Sequence, residues 1–253
     1  SDLICKGIKP ESYFLSLAIN KKQANKYWFI KLKNILKKEQ NKFNITLAGG
    51  DTTKSEKLVI TFVVLGKPMK KPVFRSTAKF NDDIYVTGDL GNSFIGLNIL
   101  KKINNFKNFN KFYIKKFYEP DLQVKLLPFL HSIANASIDI SDGLLQDLKH
   151  LCDNSKCSAT VKLDKIPFSN VTKKILKSKK INIKDIFSNG DDYQILFTSN
   201  LKNRKKILSL SKKLNTKISR IGFINKGKKI NLLYKMKKIE INDIKMGYIH
   251  NFQ

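Results

Sequence analysis

Apolar and polar residues alternate in the first quarter of the chain in patterns that predict three strands and one helix. Residues 13–19 are apolar and favour a strand, whereas apolar side chains between residues 21 and 42 recur at helical spacing, with lysines on the opposite face. A second strand is predicted at residues 45–48, and a glycine-rich turn at residues 49–53 follows it. A third strand is predicted at residues 58–65. The predicted order is therefore strand, helix, strand, turn, strand.

A polar segment with two prolines follows and is the best candidate for a domain boundary. Pro68 and Pro72 lie within this segment, which covers residues 66–83. We therefore expect residues 1–72 to form an N-terminal domain and residues 73–253 to form a C-terminal domain.

The longer C-terminal part mixes predicted strands and helices. Its predicted strands lie near residues 84–87, 136–140, 159–163, 193–198, 217–224 and 230–234. Its predicted helices lie near residues 92–102, 109–118, 121–132, 144–151 and 201–214. The predicted fold class is α+β (mixed α/β) in two domains: an α/β N-terminal domain and an α+β C-terminal domain of sheet and helices.

Composition is typical of a globular protein of the reducing cytoplasm. The chain has 253 residues, of which 42% are hydrophobic, and its mean hydropathy is -0.30. The longest apolar run, residues 58–65, is shorter than the roughly 20 residues of a membrane helix. Cys5, Cys152 and Cys157 are an odd number of cysteines without metal-finger spacing. We therefore expect reduced thiols, a cytoplasmic location and no membrane partner.

The strong positive charge does not by itself predict a nucleic-acid partner. The chain carries 49 basic and 20 acidic residues, a formal net charge of +29, which suggests nucleic acid or an anionic membrane. Only Arg75, Arg204 and Arg220 are arginines, however, and the lysines are spread along the chain. Proteins that bind bases and phosphates favour the planar guanidinium. We do not expect a nucleic-acid partner, and a basic nucleic-acid-binding module stays as the alternative.

Acidic residues beside glycine or serine recur next to predicted strands. Asp51 follows two glycines, Asp139 and Asp142 lie in the sequence Ile-Asp-Ile-Ser-Asp-Gly, Asp191 follows Asn-Gly, and Asp2 lies at the start of the chain. Carboxylates bind Mg²⁺, while glycines let backbone N–H groups approach phosphate. Because the P-loop and protein-kinase motifs are absent, the pattern predicts a magnesium and polyphosphate site of another kind.

Each candidate residue also has a structural interpretation. An Asx turn or a helix cap is the commoner role for a single aspartate beside glycine, and this applies to Asp51 and Asp142. Asp139 differs, because a carboxylate within an apolar strand is costly to bury without a metal ion or a lysine. Arg75 either makes a surface ion pair or clamps a phosphate. Tyr248 either belongs to the core or stacks on a ring.

Seven short motifs together resemble one family. In chain order they are Ser1-Asp2-Leu3, Ala48-Gly49-Gly50-Asp51-Thr52-Thr53, Arg75-Ser76-Thr77-Ala78, Asp83-Ile84-Tyr85-Val86-Thr87-Gly88, Ile138-Asp139-Ile140-Ser141-Asp142-Gly143-Leu144, Gly190-Asp191-Asp192-Tyr193 and Gly247-Tyr248. In their order and spacing they resemble the thiamine-monophosphate kinases, which belong to the aminoimidazole-ribonucleotide-synthetase-like superfamily. The resemblance covers essentially the whole chain, from Ser1 to Phe252.

The resemblance implies an ATP-dependent kinase that converts thiamine phosphate to thiamine diphosphate by direct in-line transfer with Mg²⁺. It implies metal ligands at Asp2, Asp51, Asp139 and Asp142. It implies ATP contacts at Gly50, Asp51, Arg75 and Ser141, and thiamine phosphate contacts at Asp191 and Tyr248. Asp51 and Asp142 are the expected catalytic residues. It also implies a homodimer formed through the N-terminal domain.

The chain departs from the family pattern at several positions. Asp191 and Gln194 stand where the family has glutamates, Gln123 stands where it has a cation, Lys54 replaces an arginine, and Ile249 interrupts the usual C-terminal motif. The family also has a preceding N-terminal segment with further acidic motifs, and this chain begins after it. We therefore expect a partial N-terminal domain and a truncated chain that binds MgATP poorly and turns over slowly.

Two further alternatives follow from the resemblance. Another ATP-using synthetase or kinase of the same superfamily shares the chemistry of magnesium and ATP. The sequences Ser141-Asp142-Gly143 and Asp192-Tyr193 favour the thiamine phosphate enzyme over it. The second alternative is a truncated chain without catalytic activity that serves as a dimerising or regulatory remnant.

Overall fold

The computed structural model describes residues 1–178, 180–239 and 246–248. One compact unit, here called the N-terminal unit, consists of Ile8–Met69, and the other, the C-terminal unit, combines Ser1–Gly7 with the described residues from Lys70 onward. The first seven residues are held in the C-terminal unit by backbone contacts. The backbone N–H of Val73 donates to the carbonyl of Lys6 at 3.0 Å, and the Ser137 hydroxyl donates to the carbonyl of Cys5.

The N-terminal unit is a three-stranded sheet with one long helix. Its elements are β1 (Ile8–Ile19), α1 (Lys26–Phe43), β2 (Thr46–Lys54) and β3 (Val59–Pro68). The strand order is β2-β1-β3, in which β1 is parallel to β2 and antiparallel to β3. A parallel pair needs a crossover between its strands, and α1 provides it.

Two predictions for this unit need correction at their boundaries. The predicted turn at residues 49–53 is wrong, because β2 continues through it to Lys54 and pairs Gly50 with Leu15 of β1. A Cβ at Gly50 would lie 1.9 Å from the Leu15 carbonyl oxygen, so glycine here permits close strand approach rather than a turn. The helix begins at Lys26 instead of residue 21, because the Asn25 side chain caps it.

The core of the N-terminal unit lies on one side of β1. Four side chains of this strand pack against apolar residues of α1 and the following turn: Tyr13, Leu15, Leu17, Ile19, Trp28, Leu32, Leu36 and Ile45. In contrast, every side chain of β3 is exposed, including the apolar run from Val59 to Leu65. The amphipathic pattern of α1 is therefore satisfied by β1, whereas β3 remains open to solvent.

The described residues of the C-terminal unit form a seven-stranded sheet. Its strands are β4 (Asp83–Thr87), β5 (Ala136–Asp139), β6 (Ser158–Lys162), β7 (Ile195–Ser199), β8 (Ile218–Asn225), β9 (Ile230–Tyr234) and β10 (Lys237–Ile239). The order is β10-β9-β6-β8-β4-β7-β5, and the pairing is antiparallel except between β6 and β9.

Seven helices accompany this sheet in the described part of the chain. They are α2 (Asn92–Leu100), α3 (Asn110–Tyr118), α4 (Leu127–Ile133), α5 (Leu144–Ser155), α6 (Asn170–Lys177), α7 (Ile183–Phe187) and α8 (Arg204–Lys213). The two short helices α6 and α7 and the strand β10 were not predicted from the sequence pattern. The helix predicted at residues 121–132 begins only at Leu127, after a short 3₁₀ turn at Val124–Leu126. The mixed α/β fold class is confirmed.

Apolar residues cover both faces of the C-terminal sheet. Ile84 and Val86 of β4 belong to a larger cluster with Leu148 of α5, whereas Tyr85 belongs to a smaller cluster with Phe197 of β7. Neighbouring strand residues point to opposite faces, so the core lies on both sides of β4. None of the described helices combines the length and the apolar character that a membrane-spanning helix requires.

Candidate active site

A cavity in the C-terminal unit brings together four of the predicted site residues. Its volume is about 560 Å³, and it is lined by the predicted residues Ser141, Asp142, Asp191 and Tyr248. The other lining residues are Phe94, Leu97, Lys101, Asn189, Gly190 and Tyr193. Residues more than 100 positions apart in the sequence therefore share one polar and aromatic cavity.

Backbone hydrogen bonds hold the three segments of the cavity together. The N–H of Asp191 donates to the carbonyl of Ser141 at 3.0 Å, and the N–H of Tyr248 donates to the carbonyl of Asp142 at 3.0 Å. A Cβ at Gly190 would lie 1.7 Å from the Ser141 carbonyl oxygen, so this close approach requires glycine. The loop at Ser141 and Asp142 is thus the point on which the other two segments converge.

Asp147 of α5 fixes the shape of that loop. One of its carboxylate oxygens, Oδ2, accepts hydrogen bonds from the backbone N–H groups of Ser141, Asp142 and Gly143 at 3.0 to 3.1 Å. Burial raises the pKa of Asp147 to about 7, even though two of these bonds lower it. Asp147 therefore holds the backbone of the loop while leaving the Asp142 side chain free to line the cavity.

Asp147 was not predicted as a site residue from the sequence. The sequence does contain a signal for Asp147: it is an acidic residue in the first turn of a helix that directly follows Asp-Gly. A side chain at this position can reach the backbone N–H groups that precede the helix.

Asp191 and Tyr193 have unusual backbone conformations. Their φ angles are +64° and +50°, in the left-handed region that residues other than glycine rarely adopt. The Tyr193 hydroxyl donates to Asp191 Oδ1 at 3.2 Å. Burial raises the pKa of Tyr193 to about 12, and the negative charges of Asp191, Asp139 and Asp142 contribute to this rise. Local strain of this kind is concentrated at functional sites.

Asp139 lies beside the cavity residues as a buried acidic side chain. Only 4% of its surface is exposed, and no lysine or other cation of the described residues forms an ion pair with it. Burial raises the pKa of the Cys5 thiol to about 12, and the negative charges of Asp139 and Asp2 add to this effect. Asp2 and Asp139 therefore lie near the same thiol. A buried carboxylate of this kind fits a bound divalent cation.

The complete set of predicted metal ligands is not assembled within the described residues. No three of their His, Cys, Asp and Glu side chains are arranged to hold a metal ion. Asp51 belongs to the N-terminal unit, where it is exposed in β2 and its carboxylate accepts a hydrogen bond from the N–H of Thr52 at 2.8 Å. The set of four aspartate ligands stays a prediction.

Two predicted ATP contacts are not among the lining residues of this cavity. Gly50 is part of β2 in the N-terminal unit. Arg75 is exposed in the C-terminal unit, and its backbone carbonyl accepts a hydrogen bond from the Ser155 hydroxyl at 3.0 Å. Both residues remain predicted ATP contacts.

Comparison with known proteins identifies the family. The chain matches the model of the AIR synthase related protein, N-terminal domain, over residues 1–67, and that of the C-terminal domain over residues 81–235. A thiamine-monophosphate kinase from Buchnera aphidicola subsp. Schizaphis graminum is 37% identical, over 99% of this chain and 77% of the relative. The chain belongs to the thiamine-monophosphate kinase family.

Solved structures agree with this assignment. Thiamine-monophosphate kinase from Stenotrophomonas maltophilia K279a has a TM-score of 0.83 and 26% identity, over 91% of this chain and 74% of its own. AaThiL complexed with AMPPCP and TMP has a TM-score of 0.81 and 26% identity, over 94% of this chain and 74% of its own. The resemblance inferred from the seven motifs is confirmed.

Gln123 and Gln194, two positions expected from the sequence to depart from the family motifs, contact each other. The side-chain amide of Gln123 donates to Gln194 Oε1 at 2.9 Å, and the Thr87 hydroxyl donates to the same oxygen at 2.9 Å. The resemblance leads us to expect a cation at position 123 and a glutamate at position 194, whereas a neutral amide pair joins the two positions in this chain. A third departure, Ile249, lies outside the described residues.

Asp192 of the family motif has a positioning role. Its carboxylate accepts a hydrogen bond from the N–H of Gly91 at 2.7 Å, directly before α2, which has no side-chain cap of its own. Burial raises the pKa of Asp192 to about 7. Because Phe94 and Leu97 of α2 line the cavity, Asp192 ties one wall of the cavity to the segment that carries Asp191.

Lys101 and the two apolar residues of α2 were not predicted as site residues. Lys101 directly follows α2, and it is one of many lysines spread along the chain, so its sequence context carries no signal. Phe94 and Leu97 recur at helical spacing, which is equally typical of a core helix. Only the tertiary structure shows that these three residues line the same cavity as Asp191.

Proposed function

We propose that this chain catalyses the ATP-dependent phosphorylation of thiamine phosphate to thiamine diphosphate. The observation that carries the proposal is the single cavity lined by Ser141, Asp142, Asp191 and Tyr248 in a member of the thiamine-monophosphate kinase family. The bound AMPPCP and TMP of the similar AaThiL structure support both the nucleotide and the phosphate acceptor.

The cavity has the chemistry that thiamine phosphate requires. Thiamine carries a positively charged thiazolium ring, to which the carboxylates of Asp142 and Asp191 are electrostatically complementary. Tyr248 and Phe94 offer aromatic surface for a flat ring. Lys101 supplies a positive charge on the same lining, suited to the phosphate group. Asp191 and Tyr248 are therefore the proposed substrate contacts.

The proposed nucleotide site uses magnesium and the remaining predicted residues. Asp2, Asp51, Asp139 and Asp142 are the proposed Mg²⁺ ligands, and Gly50, Asp51, Arg75 and Ser141 are the proposed ATP contacts. When bound, Mg²⁺ neutralises charge on the transferred phosphoryl group. The chain itself contributes orientation, because Asp147 fixes the backbone that carries Ser141 and Asp142. Asp51 and Asp142 are the proposed catalytic residues.

The assay of the reaction tests this proposal directly. Formation of thiamine diphosphate from ATP and thiamine phosphate is measured for the wild type, for Asp142→Asn and for Asp153→Asn. We expect Asp142→Asn to lower the rate roughly 100-fold or more, because it removes a carboxylate ligand of the Mg²⁺ that would neutralise the charge on the reacting phosphoryl group. The control Asp153→Asn alters an exposed residue of α5 and should keep the wild-type rate.

Two outcomes contradict the proposal. The first is a folded protein that turns over ATP without forming thiamine diphosphate, which favours another enzyme of the superfamily. The second is an Asp142→Asn variant with the wild-type rate.

We also propose a homodimer, supported by the exposed strand β3. The apolar side chains of this strand, from Val59 to Leu65, are exposed on both faces. Contiguous exposed apolar surface is uncommon on monomers and marks interaction sites. Sedimentation equilibrium should therefore give twice the chain mass of 29.1 kDa, and Val63→Asp should return it to the monomer mass. A monomeric wild type contradicts the dimer without affecting the proposed reaction.

Location and domain division complete the proposal. We propose a cytoplasmic enzyme, supported by the free thiols of Cys5, Cys152 and Cys157. We also propose a domain boundary near residue 72, supported by the matches of the two family models to residues 1–67 and 81–235.

A further inference from the structure

A second cavity in the C-terminal unit gathers four cationic side chains. Its volume is about 360 Å³, and its lining includes Arg204, Arg220, Lys162 and Lys165. Two of the three arginines in the chain therefore line one cavity. It shares no lining residue with the cavity of Asp142 and Asp191.

A buried carboxylate orients the two arginines. The side chain of Asp83, which is 4% exposed, accepts hydrogen bonds from Arg204 Nε at 2.5 Å and Arg204 Nη2 at 2.8 Å. Arg220 Nη1 lies 3.5 Å from the same carboxylate. Both arginine side chains keep about half of their surface exposed. Because a guanidinium has five N–H donors, each one retains donors for a ligand.

The charges of this cavity are not balanced by its own residues. Asp83 is the one acidic residue of the lining, against two arginines and two lysines. Among the described residues, Lys165 makes a single ion pair, with Asp164 at 3.6 Å, and Lys162 makes none. The ion pair between Arg204 and Asp83 is sufficient to attach α8 to β4, so the other cations are not needed for that purpose. The remaining three cations produce a focused positive potential in a concave site.

The cavity also has an apolar wall. Leu201 and Phe223 line it, and both side chains are exposed. Arginine forks bind phosphate oxygens in a bidentate manner, while an exposed aromatic ring suits a flat ligand ring. We propose that this cavity binds a nucleotide-sized phosphate ester, with its phosphates on the arginines and lysines and its ring against Leu201 and Phe223.

The test is calorimetric titration with ADP in the presence of EDTA. Removing divalent cations suppresses nucleotide binding that depends on the magnesium ligands of the proposed catalytic site. The cavity variant is Lys162→Gln with Lys165→Gln, which removes two charges and leaves the buried Asp83 paired. The matched control is Lys212→Gln with Lys213→Gln, two exposed lysines of α8 outside the cavity.

We expect the dissociation constant for ADP to rise about tenfold or more in the cavity variant and less than about twofold in the control. Pyrophosphate, which has no ring, should lose affinity equally in the cavity variant but should be unaffected by Phe223→Ala. ADP should bind more weakly to Phe223→Ala. Kinase activity at saturating substrate should stay at the wild-type value in all these variants.

Three results would overturn the proposal. Equal losses in the cavity variant and the control indicate a diffuse charge effect. Loss of ADP binding in Asp142→Asn but not in the cavity variant assigns all binding to the catalytic site. Tight binding of a short oligonucleotide that depends on Lys162 and Lys165, without binding of ADP, assigns the surface to nucleic acid instead.

Discussion

The two units of the chain use apolar strands in opposite ways. Every residue of β4 in the C-terminal unit is buried, whereas every residue of β3 in the N-terminal unit is exposed. The strand β4 lies between β7 and β8 and has apolar clusters on both faces, whereas β3 is an edge strand and the described core of its unit lies against β1. An apolar pattern therefore identifies a strand, but the neighbouring layers determine whether that strand forms a core or a surface for association.

The largest expected effect comes from matched aromatic truncations in the two units. Phe197 is fully buried and stacks on Tyr85 at 5.2 Å, whereas Phe62 is 49% exposed and lies 5.7 Å from the ring of Tyr13. We expect Phe197→Ala to lower the free energy of unfolding by about 3–5 kcal/mol, because it leaves a cavity in a packed core. In the monomeric Val63→Asp background, Phe62→Ala should cost about 1 kcal/mol, because half of its side chain is in solvent there.

Urea unfolding can follow the two units separately. Trp28 of α1 is the single tryptophan of the chain, so its fluorescence reports on the N-terminal unit. Circular dichroism reports mainly on the larger C-terminal unit. Equal losses of stability in Phe197→Ala and Phe62→Ala would contradict the difference between a closed core and an open strand.

Much of the fold and part of the site were accessible from sequence. The strand at Ile84 and Val86 was predicted because its apolar run is continuous, and the cavity residues Asp142 and Asp191 were predicted from acidic residues beside glycine. Such local patterns identify strands and candidate ligands, since they depend on backbone preferences and on the chemistry of single residues.

The remaining features depend on contacts between distant residues. The turn predicted around Gly50 is a strand, because pairing with Leu15 outweighs the preference of glycine for turns. The line of exposed residues on β3 resembles a core strand in sequence, and only the arrangement of layers distinguishes the two. Asp147 and Lys101 gain their roles from the loop and the cavity that they reach, which no local pattern specifies.

Two aspartates of α5, one buried and one exposed, allow the same comparison for single carboxylates. A smaller loss of unfolding free energy is expected from replacing them. Asp147 is buried and accepts three backbone hydrogen bonds, whereas Asp153 is exposed and pairs with Lys149. Asp147→Ala should lower the free energy of unfolding by about 1–3 kcal/mol, because it leaves backbone N–H groups without an acceptor. Asp153→Ala should cost less than about 0.5 kcal/mol.

The replacement Asp147→Asn separates hydrogen bonding from charge. All three N–H groups donate to one oxygen, Oδ2, so the amide oxygen of asparagine can replace it. Thermal unfolding and kinase assays of both Asp147 variants should therefore show rescue: Asp147→Asn keeps most of the stability and rate that Asp147→Ala loses. If asparagine were as damaging as alanine, the negative charge of Asp147 rather than its hold on the loop would be the property that the site requires.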